Sequence, residues 1–382
     1  MQVINAGKVP IKMWLDDIED GAREQAINLA NLPFVHKWVA IMPDSHQGYG
    51  MPIGGVLATK GAIIPNAVGV DIGCGMGAVK TTISGIDTDA LRAIMGKVRE
   101  AVPVGFNHHK EAQAWDGFDR APDIPIIQQE LDSARKQLGT LGGGNHFIEF
   151  QADEGGALWV MLHSGSRNFG LKTAKVFHKQ AQELCERWHV NLPDSELAFL
   201  PMDDRAGQDY HAAMSFCLEF AQANRDNMMS AILGAVREVT GCNEVKRVNI
   251  HHNYAALENH YGENVWVHRK GATRARLGEA GIIPGSMGTS SYIVEGLGNP
   301  ESFCSCSHGA GRKMGRKQAE RTLAFAEEKA KLDTMGVIHG MRDAADLDEA
   351  PGAYKDIDVV MENQRDLVKV VTKLRPLGSI KG

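Results

Sequence analysis

The stretch LGTLGGGNHFIEFQADEGGALWVMLHSGSR, residues 138–167, holds two apolar runs, 145–150 and 157–162, with glycine-rich segments before and after them. Both runs are rich in the β-branched and aromatic residues that favour strands. Three further runs of this kind lie at 244–250, 264–269 and 290–295. From residue 145 onwards, the sequence therefore predicts strands that end in glycine-rich loops.

Helical periodicity predicts six helices, over 88–101, 127–138, 172–189, 207–239, 313–328 and 355–374. In the third helix, Phe177, Ala181 and Cys185 recur at four-residue steps on one apolar stripe, which places Cys185 in the core. The sixth begins with acidic and ends with basic side chains, as the helix dipole favours. Strands and helices interleave irregularly, without a repeat or a linker. We therefore expect an α+β fold in a single compact domain over residues 1–382.

The composition indicates a globular protein, since 43% of the 382 residues are hydrophobic. No apolar N-terminal segment and no run of eighteen uncharged apolar residues occurs, and the six cysteines do not resemble a secreted disulfide framework. We expect reduced thiols and a cytoplasmic location. The net charge of −6 argues against coating of nucleic acid by bulk electrostatics. Any phosphate site must therefore be built locally.

Glycine is over-represented, at 42 residues, and it concentrates in loops at 46–55, 68–77, 138–146, 163–167, 282–291 and 307–312. Four of these loops carry a histidine. The candidate metal ligands in or beside the loops are Asp71, Cys74, His146, Glu149, His163, His251, His252 and His308. A thiolate, several imidazoles and a carboxylate suit manganese, zinc or iron. Two alternatives stay open: histidines that only form hydrogen bonds, and a small zinc knuckle at Cys304 and Cys306.

His308 is a candidate nucleophile. The sequence contains neither a P-loop nor a dinucleotide-binding GxGxxG, and it lacks the Lys-x-Asp-Gly motif of lysine-dependent nucleotidyl transfer. A neutral imidazole can attack phosphorus instead. The HGAGR segment offers phosphate the N–H groups of 309–311 and the Arg312 guanidinium, just before a predicted helix. The alternative is a capping loop without chemistry.

Two basic clusters are candidate phosphate-backbone surfaces. RKGATRAR, residues 269–276, carries four positive charges, and Arg312, Lys313, Arg316 and Lys317 carry four more. Solvated basic faces without a ligand are the alternative.

Ten segments together resemble the RtcB family of RNA ligases, in order from about residue 8 to residue 382. They are MPDSHQGYGMPIGG, VGVDIGCGMG, LGTLGGGNHFIE, MLHSGSR, HHNYA, RKGA, IIPGSMG, SFCSCSHGAGR, AYKDID and the terminal KG. The resemblance implies one RtcB-like catalytic domain, with mixed and antiparallel sheets surrounded by helices. It also implies joining of RNA 3′-phosphate or 2′,3′-cyclic phosphate ends to 5′-hydroxyl ends, with GTP and two Mn²⁺ ions, in RNA repair or tRNA splicing.

The resemblance also assigns roles to residues. Cys74 would bridge two metals, with His163 and His252 on one, and Asp71 and His146 on the other. His308 would become guanylylated, and the other catalytic residues would be Asp44, which orients His308, and Arg312. The implied nucleotide contacts are Asn145, Glu149, Asn253, Ser286, Ser291, Gly309, Ala310, Gly311, Tyr354 and Lys381.

The chain departs from the family pattern at 105–137, which is shorter and less basic than we expect of members that ligate split tRNA. A paralogue that caps 3′-phosphates without joining them is therefore an alternative, as are a manganese-dependent phosphoesterase and a non-catalytic RNA- or metal-binding module. Some relatives act with an archease, and the sequence leaves open whether this chain needs such an activator.

Overall fold

A computed structural model describes residues 1–382. The strands are β1 (Gln2–Ile4), β2 (Ile11–Met13), β3 (Val35–His46), β4 (Ile53–Thr59), β5 (Ala62–Ile63), β6 (Gly75–Ser84), β7 (Phe147–Asp153), β8 (Ala157–Ser164), β9 (Leu200–Pro201), β10 (Glu244–His251), β11 (Asn253–His260), β12 (Glu263–Lys270), β13 (Ala272–Arg274), β14 (Ala280–Ile283), β15 (Ser291–Gly296), β16 (Ser305–Ser307) and β17 (Val368–Lys381). The α-helices are α1 (Asp20–Ala30), α2 (Pro65–Val68), α3 (Thr88–Ala101), α4 (Pro125–Gln137), α5 (Arg167–Arg187), α6 (Arg205–Thr240), α7 (Arg316–Thr322), α8 (Phe325–Thr334) and α9 (Ile357–Asn363).

Two large sheets organise the chain. A six-stranded sheet has the order β1-β2-β3-β4-β12-β11, and a seven-stranded sheet has the order β10-β6-β8-β7-β17-β15-β14. Only β2 and β3 pair in parallel within these sheets. The chain passes between the sheets at residue 252, where β10 of the second sheet ends and β11 of the first begins. The α+β prediction, with mixed and antiparallel sheets, is confirmed.

Helix α6 covers one face of the seven-stranded sheet. It is 36 residues long, and its buried side includes Met228, Met229, Ile232 and Val236, which join the core formed by β6, β7 and β8. Burial of one such side chain contributes roughly 1.5–3 kcal/mol. The helix therefore stabilises these central strands, whose ends carry the glycine-rich loops.

The five strand-like runs are all strands, and helices are present over the first four helical predictions. Two predictions are wrong in part. Residues 313–328 form two short helices, α7 and α8, because the chain becomes extended at Leu323, which packs against an apolar cluster with Leu332 and Leu347.

Residues 355–374 are the second exception, since the helix ends at Asn363 and β17 begins at Val368. The stretch 368–372 is dominated by β-branched residues, which are restricted in helices and favoured in strands. Pairing of this stretch with β15, and of the rest of β17 with β7, outweighs the weak helical charge pattern.

Cys185 is buried in the largest apolar cluster, as predicted. All six cysteines are free. None of the nine helices has the length and apolar character that crossing a membrane would require.

Candidate active site

Pairing of the central strands brings three candidate ligands to one end of the seven-stranded sheet. Cys74 immediately precedes β6, His163 lies on β8, and His252 follows β10. Because β6 pairs with both β8 and β10, Gly75, which follows Cys74, lies opposite Ser164, next to His163, and opposite His251, next to His252. The N–H of His252 also donates to the Cys74 carbonyl, at 2.9 Å.

The ligand atoms form two groups that share Cys74. Its Sγ lies 3.2 Å from His163 Nε2 and 3.5 Å from His146 Nε2. His252 Nε2 lies 3.3 Å from His163 Nε2, and Asp71 Oδ2 lies 3.1 Å from His146 Nε2. Within each group, Cys74 with His163 and His252, or Asp71 with Cys74 and His146, all ligand atoms lie within 4.8 Å of one another.

Backbone carbonyls set the orientation of two histidines. His146 Nδ1 donates to the Leu141 carbonyl at 2.9 Å, and His163 Nδ1 donates to the Asn145 carbonyl at 3.0 Å. Because a carbonyl can only accept, each Nδ1 carries the proton and each Nε2 presents a lone pair to the cluster. This is the arrangement of metal-binding histidines.

The electrostatics of the cluster favour a cation. Burial lowers the pKa values of His163 and His252 well below 6.5, so both rings are neutral. Burial and the nearby Asp71 carboxylate raise the pKa of the Cys74 thiol well above 9.0. A coordinated divalent cation reverses this balance and stabilises the thiolate. Sulfur, nitrogen and oxygen donors converge here, which fits a first-row divalent metal.

A buried arginine forms hydrogen bonds to residues next to three of the candidate ligands. Arg225 on α6 donates through Nη1 to the carbonyls of Gly73, at 2.9 Å, and Ser164, at 3.0 Å. Its Nη2 donates to His251 Nδ1, also at 3.0 Å. Each of these residues adjoins one of Cys74, His163 and His252, so one planar guanidinium fixes three ligand-bearing loops.

His308 approaches the cluster from a separate two-stranded sheet that β13 and β16 form. It follows β16, and its ring centroid lies 4.8 Å from that of His252. Asp44 on β3 is fully buried and accepts three bonds through Oδ2: from His308 N–H (3.1 Å), His308 Nδ1–H (2.6 Å) and Gly309 N–H (3.2 Å). Although burial raises the pKa of Asp44, its charge interaction and hydrogen bond with His308 outweigh burial and hold that pKa below 3.8. Nδ1 of His308 is thus a donor, and Nε2 carries the lone pair.

The loop after His308 differs from the phosphate cradle that we expected. The Gly309 N–H is directed to Asp44, and the Arg312 guanidinium pairs with Glu349. The next helix, α7, begins only at Arg316. Gly311 has φ +74°, and a Cβ there would lie 2.1 Å from the Asp44 carbonyl oxygen, so only glycine lets this loop approach β3.

The basic segment 269–276 does not form the expected polyanion surface. Arg269 is fully buried and pairs with Glu258, which also lies 3.6 Å from Arg276. Arg274 pairs with Glu279 at 2.6 Å. Two carboxylates outside the basic run, Glu258 and Glu279, pair with its arginines, which the composition of the run alone did not indicate.

A narrow cleft beside the cluster gathers several of the predicted nucleotide contacts. Its lining residues are Phe147, Glu149, Gly285, Ser286, Met287, Glu349, Tyr354 and Lys381. Burial raises the pKa of Glu149 to about 8. Lys381 Nζ pairs with Glu349 Oε2 at 3.1 Å. The cleft therefore presents a carboxyl group, an ammonium and an aromatic ring within one small volume.

Six other predicted contacts lie outside this lining, and three of them, Gly309, Ala310 and Gly311, belong to the loop after His308. Ser291 is buried one layer behind, where its Oγ accepts from Gln151 Nε2 at 2.9 Å. Asn145 lies in the loop before β7 and supplies the carbonyl that orients His163. Asn253 Nδ2 donates to the Asp71 carbonyl at 3.1 Å, which places its side chain between the cluster and the loop at Gly271.

Sequence reasoning missed Asn224 and Arg225, which are both buried on α6. Asn224 Oδ1 accepts from the N–H of Gly139 at 2.7 Å, and Asn224 Nδ2 donates to the Gly165 carbonyl at 3.0 Å. The sequence did contain a sign of their burial, because Asn224 and Arg225 lie seven and eight residues after Cys217 on the same apolar stripe of the helix. Polar side chains on such a stripe require buried partners.

The chain is similar to known proteins over its whole length. A family model described as tRNA-splicing ligase RtcB matches residues 25–124 and 117–382. The RNA-splicing ligase RtcB of Escherichia coli strain K12 is 40% identical over 408 residues, covering 100% of this chain and 99% of that protein. The tRNA-splicing ligase RtcB of Pyrobaculum aerophilum is 33% identical, and that of Thermococcus kodakarensis is 31% identical; each alignment covers 98% of this chain and 95% of the relative.

Proposed function

The chain belongs to the RtcB family and is an RNA ligase, and from this premise we propose that it joins 3′-phosphate or 2′,3′-cyclic phosphate ends to 5′-hydroxyl ends by way of a guanylylated His308. RNA repair and tRNA splicing are the processes that supply such ends.

The observation that carries this proposal is the contact between His308 and a buried carboxylate beside the cysteine–histidine cluster. With its proton held at Nδ1 by Asp44, the ring directs the Nε2 lone pair at an incoming phosphate. Attack on the α-phosphorus of GTP forms a P–N bond and breaks the bond to the bridging oxygen, so that pyrophosphate leaves. The Asp44 carboxylate stabilises the positive charge that develops on the ring.

Two reactions of the RNA ends follow the guanylylation of His308. An oxygen of the RNA 3′-phosphate attacks the histidine-bound phosphorus, the P–N bond breaks, and His308 is restored. The 5′-hydroxyl oxygen of the second RNA end then attacks the activated RNA phosphate, loses its proton, and displaces GMP. A cyclic phosphate end must first be opened by water to give the 3′-phosphate.

We propose that the cluster holds two Mn²⁺ ions, with Cys74 shared between them. His163 and His252 would complete one ligand set, and Asp71 and His146 the other, which corresponds to the two groups of converging donors. Bound cations would neutralise the α-phosphate charge that otherwise repels a nucleophile. The rings need no deprotonation to bind, since burial already keeps His163 and His252 neutral.

Guanine is the base that we assign to the cleft of Glu149 and Lys381. A carboxylate can accept from both the N1–H and the amino group of guanine, whereas adenine offers no such pair of donors. Tyr354 and Ser286 line the same cleft. In this assignment Asn145, Asn253, Ala310 and Gly311 lie on the phosphate side, whereas the Gly309 N–H and Arg312 are held by Asp44 and Glu349.

Labelled GTP tests the proposal. Protein incubated with α-³²P-GTP and manganese is expected to acquire an adduct that is labile in acid and stable in alkali, as a phosphoramidate is. His308→Ala abolishes the adduct, while His189→Ala, at an exposed histidine, leaves it unchanged. A manganese-dependent phosphoesterase would release product without an adduct, and a non-catalytic module would do neither.

A defined broken RNA separates ligation from capping. With 3′-phosphate and 5′-hydroxyl ends annealed on a splint, the ligase gives a longer strand, whereas a capping paralogue stops at the activated 3′ end. A parallel reaction with an archease shows whether an activator is needed. Since all six cysteines are free, we place the reaction in the reducing cytoplasm.

A further inference from the structure

Phe106 stands at the tip of a tight turn. Asn107 N–H donates to the Val104 carbonyl at 3.2 Å and its side-chain amide donates to the same oxygen at 3.1 Å. Gly105 has φ +64°, a conformation that glycine adopts without strain. The turn therefore has one well-defined backbone shape, and its apex is aromatic.

The ring of Phe106 is fully exposed. Its relative exposure is 105%, the highest of any large hydrophobic residue in the chain; the next highest are Leu277 at 79% and Tyr49 at 72%. A side chain at this value contacts nothing else in the protein. Its position on a fixed turn therefore leaves the flat apolar face of the ring available to a ligand.

The turn is bonded directly to the candidate active site. Gly105 N–H donates to the Gly142 carbonyl at 2.9 Å, and Arg167 Nη2 donates to the Gly105 carbonyl at 3.0 Å. A Cβ on Gly142 would lie 2.6 Å from His146 Nδ1. Across these links, Phe106 lies within roughly 15 Å of the ligand cluster, the length of a few nucleotides.

Positive groups surround the path from Phe106 to the cluster. Arg167 lies between the turn and Gly142, and a Cβ on Gly144 would lie 3.0 Å from Arg316 Nη1. Lys110, four residues after Phe106, is exposed. An exposed aromatic ring joined to basic side chains is how proteins hold unpaired nucleic-acid strands, with the ring under a base and the charges on the backbone.

We propose that Phe106 is a stacking platform for an unpaired base of the RNA substrate close to the end being joined. This inference rests on the proposed ligase function and adds to it a contact with the base, which the end chemistry does not require. Stacking is tolerant of sequence, because every base has a flat π face.

Equilibrium binding without GTP tests the platform. Two fluorescent single-stranded RNAs are used, one ending in a 3′-phosphate and the other beginning with a 5′-hydroxyl. Phe106→Ala is expected to raise the Kd for at least one of them roughly 5- to 100-fold, while Phe106→Trp stays within about twofold of the wild type. Trp188→Ala is the matched control, since Trp188 is half-exposed and follows the 21-residue helix that begins at Arg167, roughly 30 Å away.

An abasic scan identifies the stacked base. Removal of that base is expected to weaken wild-type binding as much as Phe106→Ala does, and to have little further effect on the variant. Unchanged affinity of Phe106→Ala for both RNAs overturns the proposal, as does additivity of the two changes at every position.

Two further measurements keep the platform separate from other roles. If Phe106→Ala also lost guanylylation, the ring would be acting through the fold of the site, and the proposal would be wrong. Conversion of a dimer to a monomer on sedimentation, with RNA affinity intact, would reassign the ring to a subunit contact. Failure of the wild type to form the GMP adduct would refute the proposed function, yet RNA affinity would still report on Phe106.

Discussion

Substitution of Asp44 by Asn removes the charge next to His308 while preserving the shape of the contact. All three bonds from His308 and Gly309 go to Oδ2, and Oδ1 has no partner. An asparagine can therefore accept the same three bonds through its carbonyl oxygen and place its amide where Oδ1 lies. The variant isolates the carboxylate charge from the geometry that it supports.

The expected loss follows from one charged bond to the reacting ring. Hydrogen bonds to a charged partner contribute about 1.5–3 kcal/mol, against about 0.5–1.5 kcal/mol for neutral ones. The imidazole becomes positive as phosphorus bonds to Nε2, so this charge-assisted bond strengthens in the transition state. Because Asp44→Asn keeps neutral bonds in place of the charged ones, the expected loss is the difference, about 1–1.5 kcal/mol, which predicts guanylylation that is about 5- to 13-fold slower.

Single-turnover transfer from α-³²P-GTP measures the rate, with His308→Ala as the blank. Asp87→Asn is the matched control, because Asp87 is an exposed helix cap and Asn caps equally well. The buried amide without a partner is expected to lower the free energy of unfolding by about 1–3 kcal/mol, so rates are compared well below the Tm. Guanylylation by Asp44→Asn at the wild-type rate would falsify the assignment of Asp44 as the group that orients and stabilises His308.

Three further predictions address the cleft and the cluster. The pKa of Glu149 is about 8 in the folded protein against 4.5 in the unfolded chain, so the ligand-free protein loses stability as pH rises from about 4.5 to 8. Glu149→Gln should therefore raise the Tm more at pH 8.5 than at pH 5, and it should weaken GTP binding. An equal Tm shift at both pH values would contradict this. Arg225→Lys, which cannot bridge three acceptors in a plane, should weaken Co²⁺ binding roughly 10- to 100-fold in a spectroscopic titration, with Arg247→Lys at the surface as the control. Cys74→Ser should abolish the sulfur-to-cobalt charge-transfer band, and Cys304→Ser should preserve it; persistence of the band in Cys74→Ser would remove the thiolate from the site.

The part of the candidate site that lies at the ends of strands could be predicted from the sequence. His146 and His163 adjoin apolar runs whose composition marks them as strands, and glycine-rich loops at such ends leave room for ligands. The order in which the strands pair could not be predicted from the local sequence of any one strand. Cys74 meets His252 only because β6 and β10 pair across more than 150 residues of chain, and no periodicity in either segment specifies that pairing.

Other predictions from the sequence were wrong where tertiary contacts override the local preference of a segment. The helical charge pattern of 355–374 yields to pairing of residues 368–374 with β15. Three of the four positive side chains of 269–276 pair with Glu258 and Glu279, which lie outside that run. The Gly309 N–H faces Asp44 instead of a phosphate, because Gly311 lets the loop pack against β3.

The position of β17 has a consequence for synthesis on the ribosome. This strand follows all the others in the sequence, yet it lies inside the seven-stranded sheet between β7 and β15, and it carries Lys381 to the wall of the proposed nucleotide cleft. Domains generally fold as they emerge, N-terminal parts first. A nascent chain that stalls before residue 368 has already acquired every proposed metal ligand and His308, but its cleft is open on one side. Such a chain would lack the strand that carries Lys381, so we expect nucleotide binding at the proposed cleft to require β17.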